Sequence, residues 1–145
     1  MAIEFVDGDL FTAPATTLAH GVSCAGRMGA GIALEFRRRF PEMFQEYRRR
    51  CYKSRLQPGD LFLWKQSQPW ILNMATQATT GGAKQAYVEK CLQQFESNYR
   101  AMGIRSIAMP RIAAGLGGLP WEWVEDQLNR YLGPLDLPVY IYTYR

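Results

Sequence analysis

The sequence predicts an α/β sandwich, with helices packed on a mainly parallel sheet. Three observations lead there. Short runs of strand-type residues alternate with segments whose apolar residues recur three and four positions apart. Two glycine-rich stretches, "GVSCAGRMGAG" from Gly21 and "AAGLGG" from Ala113, each separate a strand-like run from a helix-like one. A length of 145 residues, 48% hydrophobic and 13% aromatic, supplies one core and not two comfortable ones, so residues 1–145 read as a single domain.

Each element has its own signal. Ile3 to Val6 and Thr17 to Val22 carry strand-type residues. Gly31 to Phe40 reads as an amphipathic helix, with Ile32, Phe36 and Phe40 four apart, and Pro41 cannot continue it. Glu42 to Cys51 is then a second helix. Leu61 to Lys65 and Trp70 to Met74 read as neighbouring strands, each announced by a turn signal, Pro58-Gly59 and Pro69. In Gln85 to Met102 the spacing of Val88, Cys91, Leu92 and Phe95 predicts a helix that Gly103 ends. Ile104 to Met109 is a short apolar strand, Trp121 to Leu132 a helix with Pro120 near its first turn, and Val139 to Tyr144 the last strand. The chain contains no internal repeat and no low-complexity tract.

Composition removes several functions. No run approaches the ~18 to 20 apolar residues of a membrane span. Met1 to Leu10 carries three acids where a secretory leader would be basic, so a cytoplasmic location is expected. Three widely spaced cysteines and one histidine predict neither disulfides nor a metal site, and no cofactor is expected. The net charge of +4 favours anionic partners. Much of it is local: Arg37 to Arg55 holds eight basic residues against Glu42 and Glu46. That run reads either as a solvated helical face near a phosphate-handling site or as a nucleic-acid contact.

In a parallel sheet, ligands bind where loops leave the carboxyl ends of strands. The first glycine stretch lets backbone N–H groups approach an anion through Gly26, Gly29 and Gly31, with a helix N-terminus behind them. The second, Met109 to Trp121, repeats the arrangement. Neither has the spacing of a nucleotide-hydrolysing phosphate loop or of a dinucleotide fingerprint. Two such loops in one domain could grip a diphosphate from both sides.

Taken together, "VDGDLF", "LAHGVSCAGRMGAGIALEFRRRFP", "LNMATQ", "AMPRIAAGLGGLPWEWV" and "VYIYTY" resemble, in order and spacing, the macrodomain family. The likeness is strongest to the branch of the terminal ADP-ribose protein glycohydrolase and the antitoxins that remove ADP-ribose from DNA. There is also some similarity to the yeast ADP-ribose-1''-phosphate phosphatase. The resemblance implies a single macrodomain with a central mixed, mainly parallel sheet sandwiched between helices and ADP-ribose bound across the carboxyl-edge crevice; a monomer is expected. It implies that Asp9 accepts the adenine amino group beside the Leu10 backbone, and that Thr143 and Tyr144 flank the base. Gly29, Ala30 and Gly31, with Ser23, Arg27 and Met28, match the loop around the distal ribose and phosphate. Arg111 and the run Ile112, Ala113, Ala114, Gly115, Leu116, Gly117 and Gly118 match the second diphosphate loop, and Thr76 lies at the end of the strand between them.

For catalysis, the branch resembled carries a lysine where Gln77 stands and an aspartate where Gly117 stands, and neither replacement can act as nucleophile or base. Three other groups are candidates: Gln77 to orient water or ribose, His20 as the only imidazole, and Lys84 in the flexible segment that follows. Cys24 lies beside Arg27, which could favour its thiolate, and otherwise reads as a plain loop thiol. An ADP-ribosyl hydrolase, a non-catalytic ADP-ribose reader and a phosphatase of ADP-ribose-1''-phosphate all fit this pattern.

Overall fold

The computed structural model describes residues 3–143. In chain order the elements are β1 (Ile3–Asp7), a 3-10 turn (Leu10–Thr12), β2 (Thr17–Val22), α1 (Gly31–Arg39), α2 (Pro41–Tyr52), β3 (Leu61–Trp64), β4 (Trp70–Ala75), α3 (Gln85–Met102), β5 (Ile107–Pro110), α4 (Trp121–Leu132) and β6 (Val139–Thr143). The six strands form one sheet ordered β1-β6-β5-β2-β4-β3. Every neighbouring pair is parallel except β3 with β4, the hairpin expected from adjacent strands.

Alternation along the strands builds a core on each face. Leu72, Met74, Ile107, Met109, Val139 and Ile141 pack against Val88, Leu92 and Phe95 of α3 and Val124, Leu128 and Leu132 of α4. Leu18, Ile71, Ala108 and Tyr142 on the other face meet Phe36 of α1 and Met43, Phe44 and Tyr47 of α2. Complete burial of each large apolar side chain contributes roughly 1.5–3 kcal/mol, so the two layers fix the strand register. Gly103 ends α3 in a left-handed conformation at φ 82°, as the helix-stop signal requires.

Beyond one-residue differences at the ends of β1, α1, α2, β3 and β4, the structure departs from the sequence expectations in three places. β5 begins at Ile107 rather than Ile104, because the Ile104 amide turns back to the Tyr99 carbonyl at 3.0 Å and closes the end of α3. The turn at Leu10–Thr12 carried no periodicity signal; the Asp9 carboxylate caps it by accepting the Phe11 N–H at 2.9 Å. The run Arg37 to Arg55 is not one face, since it bends between α1 and α2 at Phe40.

Candidate functional site

The neighbouring strands β6, β5, β2 and β4 end at one edge of the sheet, and the loops leaving them enclose a cavity of about 600 Å³. Three inter-strand steps of ~4.8 Å make this cleft about 14 Å long from the β6 end to the β4 end. Its walls are loop 1, residues 23–30 between β2 and α1, and loop 2, residues 111–120 between β5 and α4. Tyr142 and Thr143 stand at one end, Thr76 and Gln77 at the other.

Loop 1 is held from behind. The Tyr47 hydroxyl of α2 donates to the Ser23 carbonyl at 2.6 Å, and Arg37 Nη1 donates to the Arg27 carbonyl at 3.1 Å. Met28 in loop 1 and Ala113 in loop 2 both sit at positive φ, 44° and 62°. Left-handed backbone at non-glycine residues is uncommon and costs of order 1–3 kcal/mol, and both of these residues line the cleft. The loops also touch: a β-carbon on Gly31, itself at φ 60°, would lie 3.1 Å from Leu116 Cδ1. Leu116 arches over the cleft while remaining 78% exposed.

The electrostatics are one-sided. The amides of Gly29, Ala30 and Gly31, and of Gly115, Leu116 and Gly117, meet no protein acceptor among the described residues. The N-terminus of α1 adds its dipole to the first set. Two exposed guanidinium groups border the cleft, Arg27 and Arg111, the second held 4.7 Å over the Trp121 ring. No carboxylate lines the wall among the described residues. The cleft is therefore built for an elongated anion.

It offers little acid-base chemistry of its own. Burial, with the nearby Cys51 thiol adding to it, holds the Tyr47 phenol well above its usual range; burial also raises that of Tyr142, helped by Glu4, Tyr140 and Asp9. Thr76 Oγ1 is fully buried with no hydrogen-bond partner among the described residues, at a wall where Gly21 leaves room for it: a β-carbon there would lie 2.8 Å away. Gln77 next to it is half-buried, its amide bonded to the Val22 carbonyl at 3.3 Å.

Most residues expected from the sequence gather here. Ser23, Arg27, Met28, Gly29, Ala30 and Gly31 line the cleft from loop 1, Arg111 and the run from Ile112 to Gly117 from loop 2, and Thr76, Gln77 and Thr143 from strand ends. Gly118 lies just beyond the lining, and Tyr144 lies outside the described residues. Asp9 and the buried Leu10 are also not in the wall, although the Gly8 amide bonds the Thr143 carbonyl at 3.2 Å and so sets Asp9 near the β6 end.

Two catalytic candidates are not brought to the cleft. His20 is fully buried in β2, stacked 3.9 Å from the Phe36 ring, with Nε2 2.7 Å from Asn73 Oδ1. Burial lowers its pKa to about 4 despite that hydrogen bond, so it is a neutral core group. Lys84 is exposed at the N-terminus of α3, where its amide bonds the Thr76 carbonyl at 3.2 Å. Cys24 is no thiolate either: burial, then Cys51 and Asp60, push its pKa up to about 11.

Sequence reasoning missed Gly21, Val22, Ile32, Ala33, Tyr47, Pro110, Trp121 and Tyr142 in the wall. Strand-end position could have signalled Val22, Pro110 and Tyr142. Nothing local signals Tyr47, which reaches loop 1 from a core-facing helix position.

Comparison with known proteins agrees with this architecture. The Macro domain family model matches residues 19–128. A DNA ADP-ribosyl glycohydrolase of Thermus aquaticus is 34% identical over 97% of this chain, but the match spans only 41% of that protein, about two fifths of its length. The human ADP-ribose glycohydrolase OARD1 is 33% identical, with 97% of this chain and 91% of that protein covered. Among solved structures, Thermosipho africanus DarTG in complex with ADP-ribose superposes with a TM-score of 0.92 at 31% identity, covering 99% of this chain and 42% of that one. By the family match, the relatives and the architecture alike, the chain belongs to the Macro domain family.

Proposed function

We propose that this protein binds ADP-ribose in the carboxyl-edge cleft and hydrolyses its link to a modified macromolecule. The observation that carries the reading is the wall itself: two loops whose amides meet no protein acceptor, two guanidinium groups on the rim, and no carboxylate among the described lining residues. A diphosphate between two sugars fits such a wall, with the phosphates on the loop amides and a ribose at each end. Its adenine would lie toward Thr143, where Asp9 is near enough to accept the exocyclic amine. The distal ribose would lie toward Thr76 and Gln77. The relatives support the ligand and the reaction class, one being named for ADP-ribose glycohydrolysis and one solved with ADP-ribose.

The wall has no lysine nucleophile and no aspartate base, because Gln77 and Gly117 occupy those places. Hydrolysis then depends on orientation. Gln77 holds a water against the distal ribose, and a phosphate oxygen of the ligand helps to position it. Such a site suits labile linkages, ADP-ribosyl esters on protein carboxylates or ADP-ribose on nucleic acid, the latter reached through basic residues of Arg37 to Arg55. We place the protein as a monomer in the cytoplasm, a reducing compartment that suits the free thiols of Cys24, Cys51 and Cys91.

The same absence of a base favours a second reading, a reader that binds without turnover. Calorimetric titration with ADP-ribose, followed by incubation with a glutamate-ADP-ribosylated peptide, an ADP-ribosylated oligonucleotide and ADP-ribose-1''-phosphate, separates the readings. Binding with release of ADP-ribose is the expected result. Binding without release supports the reader, phosphate release the phosphatase, and no binding removes the assignment.

A further inference from the structure

The basic run divides into two sets. Arg38 and Arg39 share Glu35, and Arg49 and Arg50 share Glu46, so these four are half neutralised and held on their own helices. Arg37, Arg48, Lys53 and Arg55 are exposed and make no ion pair among the described residues, Arg37 donating instead to the Arg27 carbonyl. The same is true of Arg27 on the rim of the cleft. The unneutralised set is not scattered. Gly26 of loop 1 lies so close to the last turns of α2 that a β-carbon on it would be 3.2 Å from Tyr52 Cε1 and 3.3 Å from Arg48 Cγ.

Tyr52 is the second observation. It is 69% exposed, one of three large hydrophobic side chains so exposed among the described residues, and the Arg48 guanidinium stands 5.6 Å from its ring centroid. Arg48 and Tyr52 are four apart on one helix face. The Cys24 amide bonds the Ala78 carbonyl at 3.4 Å, which ties this loop to the Gln77 end of the cleft. An open aromatic face flanked by free cations thus adjoins the end where a bound ADP-ribose would join its carrier.

We infer that the last turns of α2, with Tyr52 as a stacking platform and Arg48, Lys53 and Arg55 as phosphate contacts, form a docking surface for single-stranded nucleic acid leading to the Gln77 end of the cleft. The inference rests on the ADP-ribosyl hydrolase reading for what occupies the cleft. Free cations alone would suit any acidic carrier. The exposed ring selects nucleic acid, because unpaired bases stack on aromatic faces while phosphates track the cations, and an acidic peptide has no use for the platform. A duplex keeps its bases stacked on each other and gains nothing from Tyr52.

The test uses a labelled, unmodified 12-nucleotide DNA of mixed sequence, with fluorescence anisotropy read across a salt series. ADP-ribose is titrated into the same proteins by calorimetry. Binding with a log–log salt slope of about −2 to −3 is expected for three or four phosphate contacts. Tyr52→Ala should weaken it roughly tenfold while Tyr52→Phe restores it. Arg48→Gln should lower the slope by about 0.7, and Arg38→Gln should change affinity less than about twofold. ADP-ribose affinity should be unchanged in all four variants. On an ADP-ribosylated oligonucleotide, Tyr52→Ala should raise KM and leave kcat unaltered.

Failure of the 12-mer to bind, or equal binding by wild type, Tyr52→Ala and Arg48→Gln, would overturn the inference. Stronger competition by a polyglutamate peptide than by the oligonucleotide would assign the surface to an acidic protein instead, and would also overturn it. The expected oligonucleotide results without any ADP-ribose binding would remove the cleft reading and leave the strand surface standing.

Discussion

Acidification should destabilise this fold through His20, by an amount the structure sets. Asn73 Oδ1 can only accept, so the 2.7 Å contact requires a proton on His20 Nε2. Nδ1 is then the site that would protonate, and it is buried without a partner among the described residues. Between about pH 4 and 6.5 the unfolded chain binds a proton at this imidazole and the folded chain does not, so stability rises with pH across that window. It is fully present above 6.5 and lost as pH falls toward 4. At ~1.4 kcal/mol per unit, the lowered pKa of about 4 corresponds to roughly 3 kcal/mol. Urea unfolding of wild type and His20→Gln from pH 7.5 to 4.5 isolates the term, since other titrating groups cancel in the difference. The stability gap between the two proteins should shift by roughly 2.5 kcal/mol over that range. A constant gap, or an imidazole seen by NMR to titrate near 6.5, would refute the reasoning.

Three further outcomes test the cleft. A β-carbon at Gly29 or Gly115 meets no atom within 4 Å, so leucine at either position should leave the fold intact and fill ligand space, weakening ADP-ribose binding roughly 100-fold by calorimetry. Gln77→Ala should lower single-turnover release of ADP-ribose roughly 10- to 100-fold with little change in Kd, because its proposed task is orientation. Tyr47→Phe removes the hydroxyl that bonds the Ser23 carbonyl; denaturant unfolding should show a loss of about 1 kcal/mol, and ADP-ribose affinity should fall severalfold as loop 1 loosens.

What could be read in the sequence was what local chemistry controls. Helix α3 was legible to the residue, because apolar spacing and a left-handed Gly103 mark its body and its end within the segment itself. The two glycine loops that border the cleft were legible for the same reason. The start of β5 was not: Ile104 is as apolar as any strand residue, and only its hydrogen bond to the preceding helix decides its state. His20 shows the limit most clearly. Its place before a glycine loop suggests chemistry, yet register pairs it with Asn73 across β2 and β4, one residue short of where the wall begins at Gly21. Tyr47 enters the cleft from a helix distant in sequence, and no short window contains both that helix position and the loop it supports.

Leu116 has a thermodynamic consequence. Its side chain is held over a polar cleft with most of its surface wet, against the ordinary preference of leucine for the interior. A sugar diphosphate seated beneath it would shed the water from that apolar surface as well as from its own ring faces. Association with so polar a ligand would then carry a negative heat-capacity change, the mark of buried apolar surface, so its enthalpy would grow more favourable on warming.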